Sequence, residues 1–232
     1  INGNSINVND SRIVRRSATN LFINLESLLI PSDSLKVDMS WELFIPETQT
    51  IRMGNYGNNR LFIAYWYPQI AVYDDIDGWD ILEYFGTVEF YNDFNNYEVN
   101  ITSPPGFTIW ATGDLINMND IYTEKVIRNH TKASTSSDII NIFTIDDCRE
   151  NRVLKKTGKN IWNFVANDVP DFTFAASLES NWDAASTIAD KQTNRRVLVD
   201  AVYPDSSNTF DKAVYYGLIS VNFMVDSLPG YP

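Results

Sequence analysis

The sequence predicts a mainly β fold, an antiparallel β-sandwich or open barrel with a short mid-chain helix and a C-terminal helix. Three observations carry this. Short runs of alternating or β-branched residues recur along the chain, with Pro, Gly, Asn, Asp and Ser between them. Strand and helix patterns do not alternate regularly, so a parallel α/β sheet is not indicated. The hydrophobic period changes from two residues to three or four only near the end of the chain.

Taken in order, residues 12–16, 20–29 and 36–45 read as successive strands, and Pro31-Ser32-Asp33-Ser34 turns between the second and third. In the third, Val37, Met39, Trp41 and Leu43 alternate with Lys36, Asp38, Ser40 and Glu42, the pattern of a half-buried antiparallel strand. Residues 52–59, which include Gly54-Asn55-Tyr56-Gly57-Asn58-Asn59, read as a loop. Residues 61–67 and 70–73 are apolar strands interrupted by Pro68. Residues 86–92 and 97–103 read as strands joined by the hairpin turn Asp93-Phe94-Asn95-Asn96. After Pro104-Pro105-Gly106, residues 107–111 form the next strand, which ends at Gly113-Asp114. Asn119-Asp120 then offers a cap for a short helix to about residue 127. Residues 139–145, 160–165, 172–178 and 196–203 complete the strands. In residues 208–228, Phe210, Val214, Leu218, Val221 and Val225 recur at helical steps, and Pro229-Gly230 stops the helix. The expected organisation is a β-domain over residues 1–203, then a linker and first helix over 204–232.

Composition narrows the function classes. With 44% hydrophobic and 13% aromatic residues, the 232-residue chain is able to bury a substantial core. The net charge of −12 argues against nucleic-acid binding, which needs a basic face to neutralise phosphates. The cluster Lys155, Lys156 and Lys159 beside Gly158 reads as a solvated hairpin turn. No apolar run is long enough for a membrane span. The opening residues, Ile1-Asn2-Gly3, resemble the interior of a longer product or its processed start.

Candidate chemistry is sparse. Cys148 is the only cysteine, which leaves no intrachain disulfide, and it follows Asp146-Asp147, whose charges raise a thiol pKa. It reads as structural. His130 is the only histidine and lies in the polar stretch Arg128-Asn129-His130-Thr131-Lys132, so it reads as a surface residue. A zinc helix of the form H-E-x-x-H needs two histidines on one face, which this chain lacks. Asp75, Asp77 and Gly78 partly fit a Ca²⁺ loop. The position eleven after Asp75 is Gly86 rather than a bidentate glutamate, and the segment reads as a strand-end turn whose acids cap backbone N–H groups. Glu83 and Glu89, near Trp79 and Tyr84, form a carboxylate pair of the kind a glycosidase uses, with nothing to fix their separation. Exposed aromatics stack on sugars, but Trp41, Trp66, Trp110 and Trp162 lie in apolar runs where burial is the default.

Several segments together resemble a known family. Residues 61–78, which include Trp66-Tyr67-Pro68-Gln69-Ile70-Ala71-Val72-Tyr73-Asp74, are similar to the central signature W-[FY]-P-x-[IV]-x-V-[YF]-[DE] of the N-terminal β-domain of aminopeptidase N-like zinc metallopeptidases, in its bacterial version. Residues 38–46 resemble the family's strand that ends in a proline. Residues 86–92 and 97–102 resemble its next hairpin. Residues 105–115, ending Ala111-Thr112-Gly113-Asp114-Leu115, resemble the family segment that closes on A-[ST]-G-x-L. Residues 163–177, ending Val169-Pro170-Asp171-Phe172-Thr173-Phe174-Ala175-Ala176-Ser177, resemble the closing V-x-D-F-[AT]-[FW]-[AV]-[AV]-S, and Gly230-Tyr231-Pro232 resembles the later G-x-Y-P.

The resemblance implies a saddle-shaped β-domain that walls the substrate cleft of a peptidase. The zinc, the glutamate base and the G-x-M-E-N loop would lie in a catalytic domain downstream of Pro232, so no cofactor or metal is expected in this chain. The implied partners are that catalytic domain and the peptide substrate. Asn59 stands nine residues before Pro68, where many members carry the Gln or Glu that helps hold the substrate's free amine. Bacterial relatives of this version are often exported. Two other readings stand beside this one: a stand-alone β-sandwich module for a glycan or protein, and a relative that kept the scaffold and lost the metal site.

Overall fold

A computed structural model describes residues 1–50, 52–87, 90–207 and 209–227. In chain order these form β1 (Val14–Arg16), β2 (Leu21–Ile23), β3 (Met53–Asn55), β4 (Arg60–Ile63), β5 (Tyr73–Asp74), β6 (Gly78–Trp79), β7 (Asn95–Ser103), β8 (Thr108–Ala111) and β9 (Asp114–Leu115). Then come α1 (Met118–Ile121), α2 (Glu124–Ala133), β10 (Ile140–Phe143), α3 (Ile145–Arg149), β11 (Asn160–Val169), β12 (Phe174–Ser177), β13 (Asn181–Asp190) and β14 (Arg195–Tyr203). A single 3-10 turn, Phe210–Lys212, leads into α4 (Ala213–Ser227). The fold is mainly β, every strand pairing is antiparallel, and none of the sheets closes into a barrel. The chain divides into two compact units, Ile1–Phe44 with Trp66–Phe94 and Ile45–Tyr65 with Asn95–Pro232.

The first unit holds two small hairpins, β1–β2 and β5–β6. Its core is thin. Val14 and Val72 are buried, while Leu28 is 91% and Phe44 89% exposed. Residues 36–45 are not a strand here, although their alternation predicts one. Alternation specifies a face but supplies no partner, and a strand without a ladder leaves its backbone groups unpaired. Val37, Met39, Trp41 and Leu43 are accordingly all exposed. The segment is held by other bonds: Lys36 N–H donates to Asn2 Oδ1 (2.9 Å) and the Trp41 indole donates to the carbonyl of Trp66 (2.8 Å). In the expected strand 86–92, Val88 and Glu89 lie outside the described residues and the others form no strand.

In the second unit, the four-stranded sheet has the order β3-β4-β12-β8, with Phe174 opposite Ile63 on one side and Ala111 on the other. A three-stranded sheet runs β7-β11-β9, with Trp162 opposite Ile101 and Phe164 opposite Leu115. The expected hairpin turn at 93–96 is not made, because Asn95 and Asn96 already belong to β7, whose partner is β11. The third sheet runs β10-β13-β14. β13 was not expected from the sequence. Its Trp182, Asp183, Ala184, Ala185 and Ser186 are all buried, yet small and polar residues give weak strand signals. The loop expected at 52–59 contains β3, and its tip carries positive φ at Gly57 (86°), Asn58 (50°) and Asn59 (56°).

The helices differ from expectation at their boundaries. The mid-chain helix is split. α1 ends at Ile121, and Thr123 in extended conformation caps α2, which runs on to Ala133. The strand expected over 139–145 stops at Phe143, because Thr144 and Asp147 form a capping box that starts α3. The C-terminal helix is present as α4. It packs on β13 and β14, with Val214 buried and Gly217 against Val199.

Gly113 closes the turn between β8 and β9 at a φ of 84°. A Cβ there would lie 2.3 Å from the carbonyl oxygen of Val165 and 2.6 Å from Ala166 Cβ. Gly113→Ala therefore meets both a left-handed backbone and a wall of β11. It is expected to lower unfolding free energy by about 2–4 kcal/mol, read as a lower urea midpoint at unchanged slope.

Candidate functional site

Asn59 occupies the tip of the β3–β4 turn. Tyr56 N–H donates to the carbonyl of Arg60 (2.7 Å), Arg60 N–H to that of Gly57 (3.1 Å), and Asn55 Oδ1 accepts from Gly57 N–H (2.9 Å). Asparagine is among the few residues that accept positive φ at low cost, so the local backbone accounts for Asn58 and Asn59. Asn59 is exposed and directly precedes β4.

The acidic run at residues 74–80 is a capped turn. Asp74 Oδ1 accepts from the backbone N–H groups of Ile76 (3.0 Å) and Asp77 (2.8 Å), and the Tyr91 hydroxyl donates to Oδ2 (3.3 Å). The Asp77 N–H bond, followed by that from Ile76, holds the Asp74 carboxyl below its ordinary pKa. Gly78, at a φ of 73°, lets β6 fold back on β5. Among the described residues no group of three or more His, Cys, Asp or Glu is placed to hold a metal ion.

Glu83 is also committed locally. Its Oε2 accepts both the N–H and the hydroxyl of Thr19, each at 2.6 Å. Hydrogen bonds from Ser17 and then Thr19 lower its pKa, the opposite of what a glycosidase acid requires. Its imagined partner, Glu89, lies outside the described residues.

His130 is not the plain surface residue its polar neighbours suggest. It is half-buried in the last turn of α2, with its ring 5.5 Å from that of Trp182. Burial pushes its pKa down and the charge of Asp200 pulls the other way. Trp182 Nε1 in turn donates to Asp200 Oδ2 at 3.1 Å. Cys148 is half-buried, with its thiol 3.7 Å from the carbonyl of Ser180. Burial raises its pKa more than the neighbouring Asp147 and Glu179 do, so it remains a thiol. Lys155 is engaged as well. Its ammonium donates to the carbonyl of Asn119 (2.8 Å) and lies 3.1 Å from Glu124, which pins the chain to the start of α2.

Two buried polar networks escaped the sequence reading. Asp147 accepts from Lys125 Nζ at 2.8 Å and from Arg152 Nε at 2.8 Å, and Asp183 accepts from the Tyr203 hydroxyl (2.5 Å) and Asn141 Nδ2 (2.8 Å). The T-x-x-D spacing of Thr144 and Asp147 was a readable signal for the first. The second depends on β13, for which there was none.

Among the described residues the exposed tryptophans do not form a flat platform for a sugar. Trp162 and Trp182 are buried, whereas Trp41 is 47% and Trp79 55% exposed. Trp41 therefore departs from the expected burial. Tyr73 and Trp79 meet edge to face at 68°, and Trp41 and Trp66 are tilted by 40°, so neither pair is coplanar. A surface groove of about 370 Å³ runs between α4 and the β13–β14 hairpin. It is bridged by Lys191 to Asp226 (2.5 Å) and Thr187 to Asn222 (2.6 Å).

The outer face of α4 is apolar. Tyr215, Ile219 and Phe223 stand four residues apart in one row, flanked by Tyr216 and Met224, and all five are exposed, Phe223 by 69%. Residues at this spacing form a continuous ridge on a helix. An apolar ridge left in water is characteristic of an interface.

No protein-family model matches the chain, and no curated protein or solved structure is similar to it.

Proposed function

We propose that this chain is the N-terminal β-domain, with a connecting helix, of an aminopeptidase N-like zinc metallopeptidase. The domain itself performs no chemistry. It walls a substrate cleft whose zinc, water nucleophile and glutamate base belong to a catalytic domain, and the whole enzyme removes N-terminal residues from peptides. The observation that carries this reading is the placement of the family-like segments. The segment that closes on A-[ST]-G-x-L supplies β8 and the V-x-D-F-[AT]-[FW]-[AV]-[AV]-S segment supplies β12. The two are hydrogen-bonded neighbours in register from Thr108–Ser177 to Ala111–Phe174. Motifs far apart in sequence thus occupy one sheet, as segments of a shared scaffold do. The apolar ridge of Tyr215, Ile219 and Phe223 supports it further, since a domain that packs against a catalytic domain needs such a face. Asn59, exposed at its turn, is the residue that would reach a substrate amine.

The test begins with the reading frame beyond the codon for Pro232. The expected result is an H-E-x-x-H helix with a more distant glutamate. The complete protein should then bind zinc, hydrolyse aminoacyl anilides and lose that activity to a chelator. The 232-residue chain alone should do none of these. A frame that continues without the motif identifies a scaffold relative, and a frame that stops at Pro232 ends the peptidase reading.

A further inference from the structure

His130 is the only histidine of the chain, and imidazole is the side chain whose ordinary pKa puts its charge change between about pH 5 and about 8. Its surroundings form a fastening. The ring packs on Trp182 of β13, and the Trp182 indole is fixed by its bond to Asp200 of β14. One residue earlier, Asn129 Nδ2 donates to the carbonyls of Asn141 and Ile142 on β10, both at 3.1 Å. Residues 129 and 130 therefore tie the end of α2 to β10 and β13, and only through Trp182 to β14. We propose that this contact is an acid-sensitive latch: protonation of His130 releases the C-terminal half of α2 from the sheet.

The groups around the ring set the direction. β14 contributes Asp200, which favours an imidazolium. β13 contributes the uncharged indole of Trp182, because Asp183 is engaged by Tyr203 and Asn141. β10 contributes the carbonyls of Asn141 and Ile142, which accept from Asn129. Between α1 and α2 lies Tyr122, fully buried, with its ring 6.0 Å from Trp182 and its hydroxyl without a hydrogen-bond partner. On α2 itself, Arg128 and Lys132 stand two residues to either side of His130, a spacing that keeps them off its face. The aromatic wall outweighs the single carboxylate, and burial holds the imidazole below its ordinary value of 6.5. A group depressed in the docked state contributes its full stabilisation above its undocked pKa and loses it as pH falls through the docked one. Docking of α2 should thus weaken on acidification below about pH 6.5. Asp200 is raised by burial and runs the other way, holding its proton more tightly when docked, so the opening is assigned by removing the imidazole.

The test is amide hydrogen exchange of the 232-residue chain between about pH 8 and about pH 5, corrected for intrinsic rates, in wild type, His130→Phe and His130→Gln. Wild-type residues 127–133 should lose protection on acidification, with the β7–β11 ladder unchanged. Both variants should show no such loss. Equal acid loss in the variants, or constant protection in the wild type, overturns the proposal. The NMR titration of the single imidazole provides a check that needs no variant. An apparent pKa at or above the ordinary value overturns the latch, and a depressed one supports it.

Discussion

Trp162→Ala is expected to lower folding free energy by about 3–5 kcal/mol, the largest loss from any single substitution considered for this chain. Trp162 lies in β11, the middle strand of its sheet, and is fully buried. Its indole N–H donates to Ser103 Oγ at 3.0 Å, and both groups are shielded from water. Its ring meets Tyr122 edge to face, with centroids 5.5 Å apart. Truncation would remove the ring's dispersion contacts, leave a cavity and strand the Ser103 hydroxyl. Collapse of the site is opposed by Tyr122, which is itself held against Phe143 and Trp182. Trp162→Phe separates the contributions, since it keeps an aromatic ring and loses the donor, and should cost less than alanine. Trp79→Ala is the control. That ring is largely exposed, and its loss should change stability by no more than about 0.5 kcal/mol. Urea denaturation of the three variants decides it. A Trp162→Ala midpoint close to wild type would mean that this cluster is not the core of the second unit.

The contrast between the two tryptophans shows what was legible in the sequence. Strands whose burial alternates along a packed sheet, such as β7 and β11, stood out, because the more buried face of each carries the same periodicity that marks it. Residues 36–45 have an equally regular pattern and form no strand, because pairing is a property of two segments and periodicity reports on one. β13 is the reverse case. Ala184, Ala185 and Ser186 are buried by the helices on the sheet's faces, and small side chains permit that approach without advertising it. The chemistry followed the same division. Asp74 as a turn cap was readable from the acids before Gly78, since the interaction spans only three residues. The burial of His130 was not, since Trp182 lies fifty-two residues away on the unrecognised strand. Asn59 was readable as a residue suited to positive φ, and its backbone has that conformation.

Asp147→Ala is expected to lower stability by about 3 kcal/mol, with a pH signature of its own. The carboxylate is almost fully buried and performs three tasks. Oδ2 accepts the N–H of Thr144 (3.1 Å), which completes the capping box of α3. Both oxygens accept from Lys125 Nζ (2.8 and 2.9 Å), which joins α3 to α2. Oδ1 also accepts from Arg152 Nε (2.8 Å), which anchors the segment after α3. Lys125 and Arg152 are each about half exposed, so after truncation they recover water, and the loss stays below that for stranding a buried cation. Burial alone would push this carboxyl up, but bonds from Lys125, Arg152 and Thr144 outweigh it and hold the pKa at about 2, against an ordinary 3.8. A carboxyl depressed in the folded state contributes stability that is complete above its unfolded pKa and disappears as pH falls through the folded one. The difference between wild type and Asp147→Ala should accordingly be constant near neutrality, shrink below about pH 4 and lose its charge-dependent part as pH falls through about 2. Asp147→Asn retains one acceptor for the cap but loses the charge that attracts two cations. It should fall between wild type and alanine, with no acid dependence of its own. Chemical denaturation at several pH values measures all three, and a gap between wild type and Asp147→Ala that stayed constant down to pH 2 would show that the carboxylate is not held ionised by its partners.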